Sequence, residues 1–181
     1  MKYIADLGPD GLSFRQIAAD AGVSHQAPYH HFGDRSAIFS EIALQGFRKF
    51  TAAMSAPAHA DEDSNLVVRM CERYVEFALA NKGHFRVMFR ADLCHMDESP
   101  ETQRAADDAF GTLLQAVGEI LGSSASIDEI RVQATAMWSV AHGLATLLID
   151  GPLENKIGKV NDRRVLVRAV ARRMIDGITS H

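Results

Sequence analysis

A chain of 181 residues with a net charge of −4, 47% hydrophobic and 23% charged, has the make-up of one large or two small globular domains. Two cysteines, Cys71 and Cys94, without C-x-x-C spacing exclude a disulfide framework and leave buried, reduced thiols as the expectation. No apolar run reaches the roughly 18–20 residues of a membrane span, and Met1-Lys2-Tyr3 leads into no secretory apolar region, so a cytoplasmic protein without a membrane partner is expected.

Apolar spacing and helix punctuation predict an all-α chain of about nine helices. A short first helix ends near Leu7, before the turn residues Gly8-Pro9-Asp10-Gly11. The next runs from about Ser13 to Ala21, with Phe14, Ile17, Ala18 and Ala21 at helical spacing and an S-x-x-Q capping box from Ser13 to Gln16. Gly22 stands where that helix must stop and the chain reverse, a position suited to a residue without a Cβ. Val23 can then pack between two helices, and Ser24 can cap a third over about Ser24–His31, with Ala27 and Phe32 turned inward. Two short helices joined in this way form a helix-turn-helix, whose second member lies in the DNA major groove. A fourth, longer helix follows Gly33-Asp34 and runs toward Met54.

The polar stretch from Pro57 to Ser64 divides the chain, giving a first domain over 1–50 and a second over 51–181. Five helices are expected beyond it, over about Asn65–Ala80, His84–Leu93, Pro100–Leu121, Ile127–Ile149 and Asp162–Ile178. The segment around Ile127–Ile149 is strongly apolar and closes on Asp150-Gly151-Pro152. The last helix sets Leu166, Val170, Met174 and Ile178 against Arg164, Arg168, Arg172 and Arg173.

The run AGVSHQAPYHHF followed by GDRSAIF resembles the DNA-binding domain of the TetR family of transcriptional regulators, with Tyr29, His31, Phe32 and Arg35 at the family's places. The run MWSVAHGLATLLIDG, holding Trp138, His142 and Gly143, is similar to the C-terminal domain of one TetR subgroup. The family's first helix is normally longer and often preceded by a basic arm. A natural start about 15–20 residues upstream, roughly 25–30 Å of helix, is therefore expected. The charge balance also departs from a DNA binder's. Within residues 1–50, Lys2, Arg15, Arg35, Arg48 and Lys49 face Asp6, Asp10, Asp20, Asp34 and Glu41.

The resemblance implies an N-terminal three-helix reading module and an antiparallel helical domain for ligand binding and dimerisation. Ser13, Arg15, Ser24, His25, Gln26, Tyr29, His30, His31 and Arg35 are the expected DNA-binding residues. Gln26 can bridge an adenine edge, and Ser24, His25 or His30 can bond a base or phosphate. Tyr29 and His31 at phosphates follow from the resemblance alone. A homodimer on a pseudo-palindromic operator in double-stranded DNA is expected, because one module reads only half a site. A small hydrophobic effector is expected among Tyr74, Phe77, Phe85, Met88, Phe89, Phe110, Met137, Trp138 and His142. The function implied is a repressor released from its operator by that effector.

Two other classes compete with this one. A constitutive accessory DNA binder would keep the first module and lack the effector. A metal-binding or hydrolytic enzyme finds little footing: His30-His31 point apart on a helix, and Cys94-His95 with His84 lacks ligand spacing. Ser13, Ser24 and Ser139 sit in no nucleophile elbow. No cofactor, metal site or catalytic residue is expected.

Overall fold

The computed structural model describes residues 1–59, 63 and 65–179. Among these it holds ten α-helices, one short 3-10 turn and no strand, so the chain is all-α. The helices are α1 Lys2–Leu7, α2 Phe14–Asp20, α3 Ala27–Phe32, α4 Arg35–Met54, α5 Leu66–Ala80, α6 Lys82–Met88, α7 Pro100–Leu121, α8 Ile127–Asp150, α9 Pro152–Ile157 and α10 Arg163–Thr179. Two compact units result: residues 1–49 with 81–109, and residues 50–80 with 110–181. The polar break expected at Pro57–Ser64 lies partly outside the described residues.

In the first unit, Ser13 caps α2 by accepting a hydrogen bond from the Gln16 amide at 3.3 Å. The other half of the expected capping box is not made, because the Gln16 side chain donates forward to Asp20 at 2.9 Å. The Val23 amide reaches back to Ala18 O at 3.0 Å and the Gly22 amide to Ala19 O at 3.1 Å, a Schellman closure with Gly22 at φ +68°. Helix α3 begins three residues later than expected. Ser24 accepts from the Gln26 amide and, through its carbonyl, from Ala27, which holds residues 24–26 in a turn. Ser24 therefore closes that turn, and Gln26 occupies the N-cap. Two further expectations fail here. Val23 is 49% exposed and Phe32 44% exposed, neither packed inward.

The core of this unit forms around Phe14, Phe39 and Phe47 of α2 and α4 with Phe85, Val87 and Met88 of α6, all buried. Phe14 meets Phe39 edge-on at 5.9 Å between ring centroids, and Phe47 meets Phe89 at 5.7 Å. Helix α6 is shorter than the 84–93 expected, since Leu93 and Cys94 turn back on Arg90 O before the 3-10 turn at Met96–Glu98.

In the second unit, α8 opens on a full capping box. Ser126 Oγ accepts from the Glu129 amide at 3.2 Å, and Glu129 accepts from the Ser126 amide at 2.7 Å. Val67, Val117, Ala134 and Met137 form a buried cluster, with Phe110, Leu113, Ile130 and Met174 against it. Helix α9 goes beyond the sequence expectation, because Asp150-Gly151-Pro152 reads equally as a stop and as a Pro-led restart.

By length and composition alone one helix passes the test for a membrane span, as the core helix of a globular protein also does. An 18-residue window of α8 has a mean hydropathy of 1.3, long and apolar enough to cross a membrane by length and composition, and 33% of that window is buried. Gln133, Thr135, Ser139, His142 and Thr146 interrupt the apolar run of α8 without adding a Lys, Arg, Asp or Glu, so its average hydropathy stays high.

Candidate nucleic-acid interface and apolar core site

Beyond Gly22 the chain presents an uninterrupted exposed stretch, Val23, Ser24, His25 and Gln26, followed by Tyr29 and His30 on α3. Ser13 and Arg15, at the start of α2, are exposed as well. The His31 side chain lies outside the described residues. Tyr29 is anchored at its inner edge by Phe14, 6.3 Å away and near perpendicular, while the residue remains 44% exposed.

Arg35 is exposed, with part of its guanidinium tied to its own unit. Its guanidinium donates to Pro9 O at 3.1 Å and lies over the rings of Phe14 and Phe39, 5.4 and 5.3 Å from their centroids. The structure thus gives Arg35 a stapling contact between α4, α2 and the α1–α2 turn.

Several carboxylates of residues 1–50 are engaged within the fold. Asp34 caps α4 by accepting from the Ala37 amide at 2.8 Å and from Ser36, bonds that hold its carboxyl below the ordinary range. Asp20 accepts from Tyr3 and Gln16, with the same consequence. Asp10 meets Arg90 at 3.3 Å. Asp34 and Asp20 stay ionised at neutral pH, so the even charge balance noted from the sequence persists in the fold.

In the second unit the structure gathers Tyr74, Trp138 and His142. The Trp138 indole N–H donates to Tyr74 Oη at 3.2 Å, and Tyr74 Oη lies 2.9 Å from His142 Nδ1. Burial pushes the Tyr74 phenol well above its ordinary range, against a smaller opposite effect of the indole hydrogen bond. Burial also lowers the His142 imidazole, which is therefore neutral at pH 7. Of its two neutral tautomers, the one with a bare Nδ1 lets the phenol donate to it. Phe110 adjoins Trp138 at 5.7 Å, and Met137 lies one residue away in the buried cluster. Phe77 joins through Phe50, whose ring stands 5.2 Å from both Phe77 and Tyr74. Phe85, Met88 and Phe89 belong instead to the first unit, where Phe85 and Phe89 pack edge-on at 5.5 Å.

Two features escape the sequence. Phe50 is one, since nothing in its own segment signals the Tyr74 and Phe77 rings it packs against. Glu72, 3% exposed, accepts at one oxygen from Arg164 at 2.8 Å and Arg168 at 2.7 Å. The i, i+4 spacing of those arginines is the available signal, but it reads first as a solvated face. Both cysteines are buried thiols pushed up to about 11, chiefly by burial. Among the described residues no cluster of three or more His, Cys, Asp or Glu could hold a metal ion.

An exposed polar stretch after a Gly-closed turn, carried by one all-α unit and followed by a second, defines a helix-turn-helix DNA-binding protein. The family model for bacterial regulatory proteins of the tetR family matches residues 1–42, and that for the tetracyclin repressor-like C-terminal domain matches residues 67–175. The chain belongs to the TetR family and is a DNA-binding transcriptional regulator. It is similar to a protein of unknown function from Rhodococcus sp. RHA1, 28% identical over 97% of this chain and 89% of that one, with a TM-score of 0.68. Its fold is also that of the TetR family transcriptional regulator PfmR from Thermus thermophilus, 19% identical over 97% and 93% of the two chains, with a TM-score of 0.60. No curated protein matches.

Proposed function

We propose that this regulator is a repressor, binding a pseudo-palindromic operator as a homodimer and released by a small hydrophobic effector. The exposed run Ser24 to Gln26 with Tyr29 and His30, beside the Gly22 turn, carries the DNA half of this reading. Ser13 and Tyr29 then meet phosphates, Gln26 faces a base edge, and Arg15, Ser24, His25 and His30 bond a base or phosphate. Arg35 contributes at most through the part of its guanidinium not held by Pro9 O.

The effector half rests on the Tyr74–Trp138–His142 network, a small set of oriented polar groups within aromatic surroundings. An effector acts only if it binds the DNA-incompetent arrangement more tightly than the competent one. Regulation, with no chemical conversion of the effector, is the proposed activity, and its place is the cytoplasm, where the operator is.

Dimerisation is supported by α8 and α10. From Val132 to Ile149 the sequence has no charged residue, and Val132 is 71%, Leu147 43% and Val165 63% exposed. Two such helices per chain can form a four-helix bundle across a two-fold axis.

The test is retardation of a duplex from the gene's own upstream region, with release by added salt and by effector. A chain that retards no such duplex at low salt would refute the regulator reading. Binding that no compound in a broad hydrophobic set relieves, with no thermal stabilisation by any of them, would favour a constitutive binder. Sedimentation should give a dimer for the wild type and a monomer for Val132→Asp.

A further inference from the structure

We propose that Arg86 and Arg90 are positioning residues for DNA reading: from α6 and the turn after it they grip the end of α1 and the α1–α2 turn, and so set where α2 begins. The inference rests on the regulator reading above. Residues 67–175 match the family's C-terminal domain, yet residues 81–109 form one compact unit with residues 1–49.

The attachments are specific. Arg86 donates to Ala5 O at 2.9 Å. Ala5 lies in the last turn of α1, where carbonyls lack helical partners and the helix dipole favours a cation. Arg90 sets its two terminal nitrogens against the two carboxylate oxygens of Asp10, each at 3.3 Å, a fork-on-fork pairing. Asp92 holds the other edge of the same guanidinium at 2.8 and 2.7 Å, so the fork is oriented before it meets Asp10. At Gly83 an added Cβ would lie 2.8 Å from Met1 O, so α6 approaches α1 as closely as backbones allow.

Asp10 stands two residues before Leu12, which is 5% exposed, and three before Ser13, the cap of α2. Whatever fixes Asp10 therefore fixes the first turn of the reading pair. The Arg90 and Asp10 side chains are 38% and 73% exposed, and a pair that exposed adds little to folding stability. Its consequence is geometric. When the turn wanders, only part of the population presents α2 and α3 in register, and apparent affinity falls by that fraction.

The experiment measures affinity for a duplex selected from a random pool by the wild-type chain, between about 50 and 200 mM salt. The doubly substituted R86A/R90A chain should bind about three- to tenfold more weakly with an unchanged salt slope. R90D should weaken binding, and the swap D10R/R90D/D92N, in which no second carboxylate repels the new one, should recover most of that loss, which a merely space-filling role would not permit. Arg90→Gln serves if R90D fails to fold by thermal melting. Wild-type affinity in these variants, no recovery in the swap, or a flatter slope in R90A, which would place Arg90 on phosphate itself, would each overturn the proposal. If the wild type selects no duplex at all, the regulator reading fails first, a result distinct from the other three.

Discussion

Gly22 shows how much one residue can decide. Its φ of +68° lies in the left-handed region, and an added Cβ would meet nothing within 4 Å, so a side chain is opposed by the backbone alone. Gly22→Ala should therefore cost about 1–2 kcal/mol, read from the urea midpoint at unchanged slope. Gln26 sits at the N-cap of α3 without using its side chain there, which leaves the amide to read bases. Gln26→Ala should shift preference at one operator position by about 1–3 kcal/mol, whereas Arg15→Ala should weaken all operators alike and lower the salt slope. Competition binding against a panel of single-base variants separates the two. Position 22 was legible because only one backbone conformation closes that helix. The start of α3 was not: Ser24 serves as well in a turn as at a cap, and nothing local chooses between them.

Among elements, α10 depends most on a contact invisible in its own sequence. Its Arg164 and Arg168 converge on Glu72 of α5, and the other carboxylate oxygen of Glu72 is buried with no hydrogen-bond partner among the described residues. Removing the carboxylate takes an acceptor from two guanidinium groups whose side chains are 35% and 26% exposed and so partly hydrated, and Glu72→Ala should cost roughly 1–3 kcal/mol, measured by chemical denaturation. The Ser126 box of α8 is a smaller and more local matter, and Ser126→Ala should cost about 1 kcal/mol by the same assay. Long periodic helices such as α7 and α8 could be placed from sequence because their apolar stripes outlast local ambiguity. Helix α9, only six residues long, carries no stripe, and the partner of Arg164 and Arg168 lies 92 and 96 residues away.

For the molecule as a whole, acid should act first through two histidines. Burial depresses His142, and burial together with Lys49, 3.5 Å away, and the amino terminus depresses His84. An imidazole harder to protonate when folded than when unfolded costs nothing above the unfolded value near 6.5. Below it, stability falls until the lower folded value is passed. The melting temperature should therefore be level between about pH 7 and 8 and decline from about pH 6.5. His84→Gln combined with His142→Gln should delay the decline until the carboxylates titrate, and scanning calorimetry across pH would reveal it. The exposure of Ser24, His25, Gln26, Tyr29 and His30 was legible because they fall in one short polar stretch after Gly22. The allocation of the nine aromatic, Met and His candidates to two separate units was not, since it depends on which neighbours α6 finds.

The polypeptide passes between its two units after Lys49, again after Ala80 and again after Ala109. Neither unit can be excised by a single cleavage. A protease nick near position 50 would leave an amino-terminal stump deprived of Phe85, Val87 and Met88, and a remainder with those side chains stranded in water. Threading of this kind ties the two melting events together, so heating should produce one transition. A minimal reading head would have to be made by splicing, with residues 1–49 joined to 81–109 through an artificial loop.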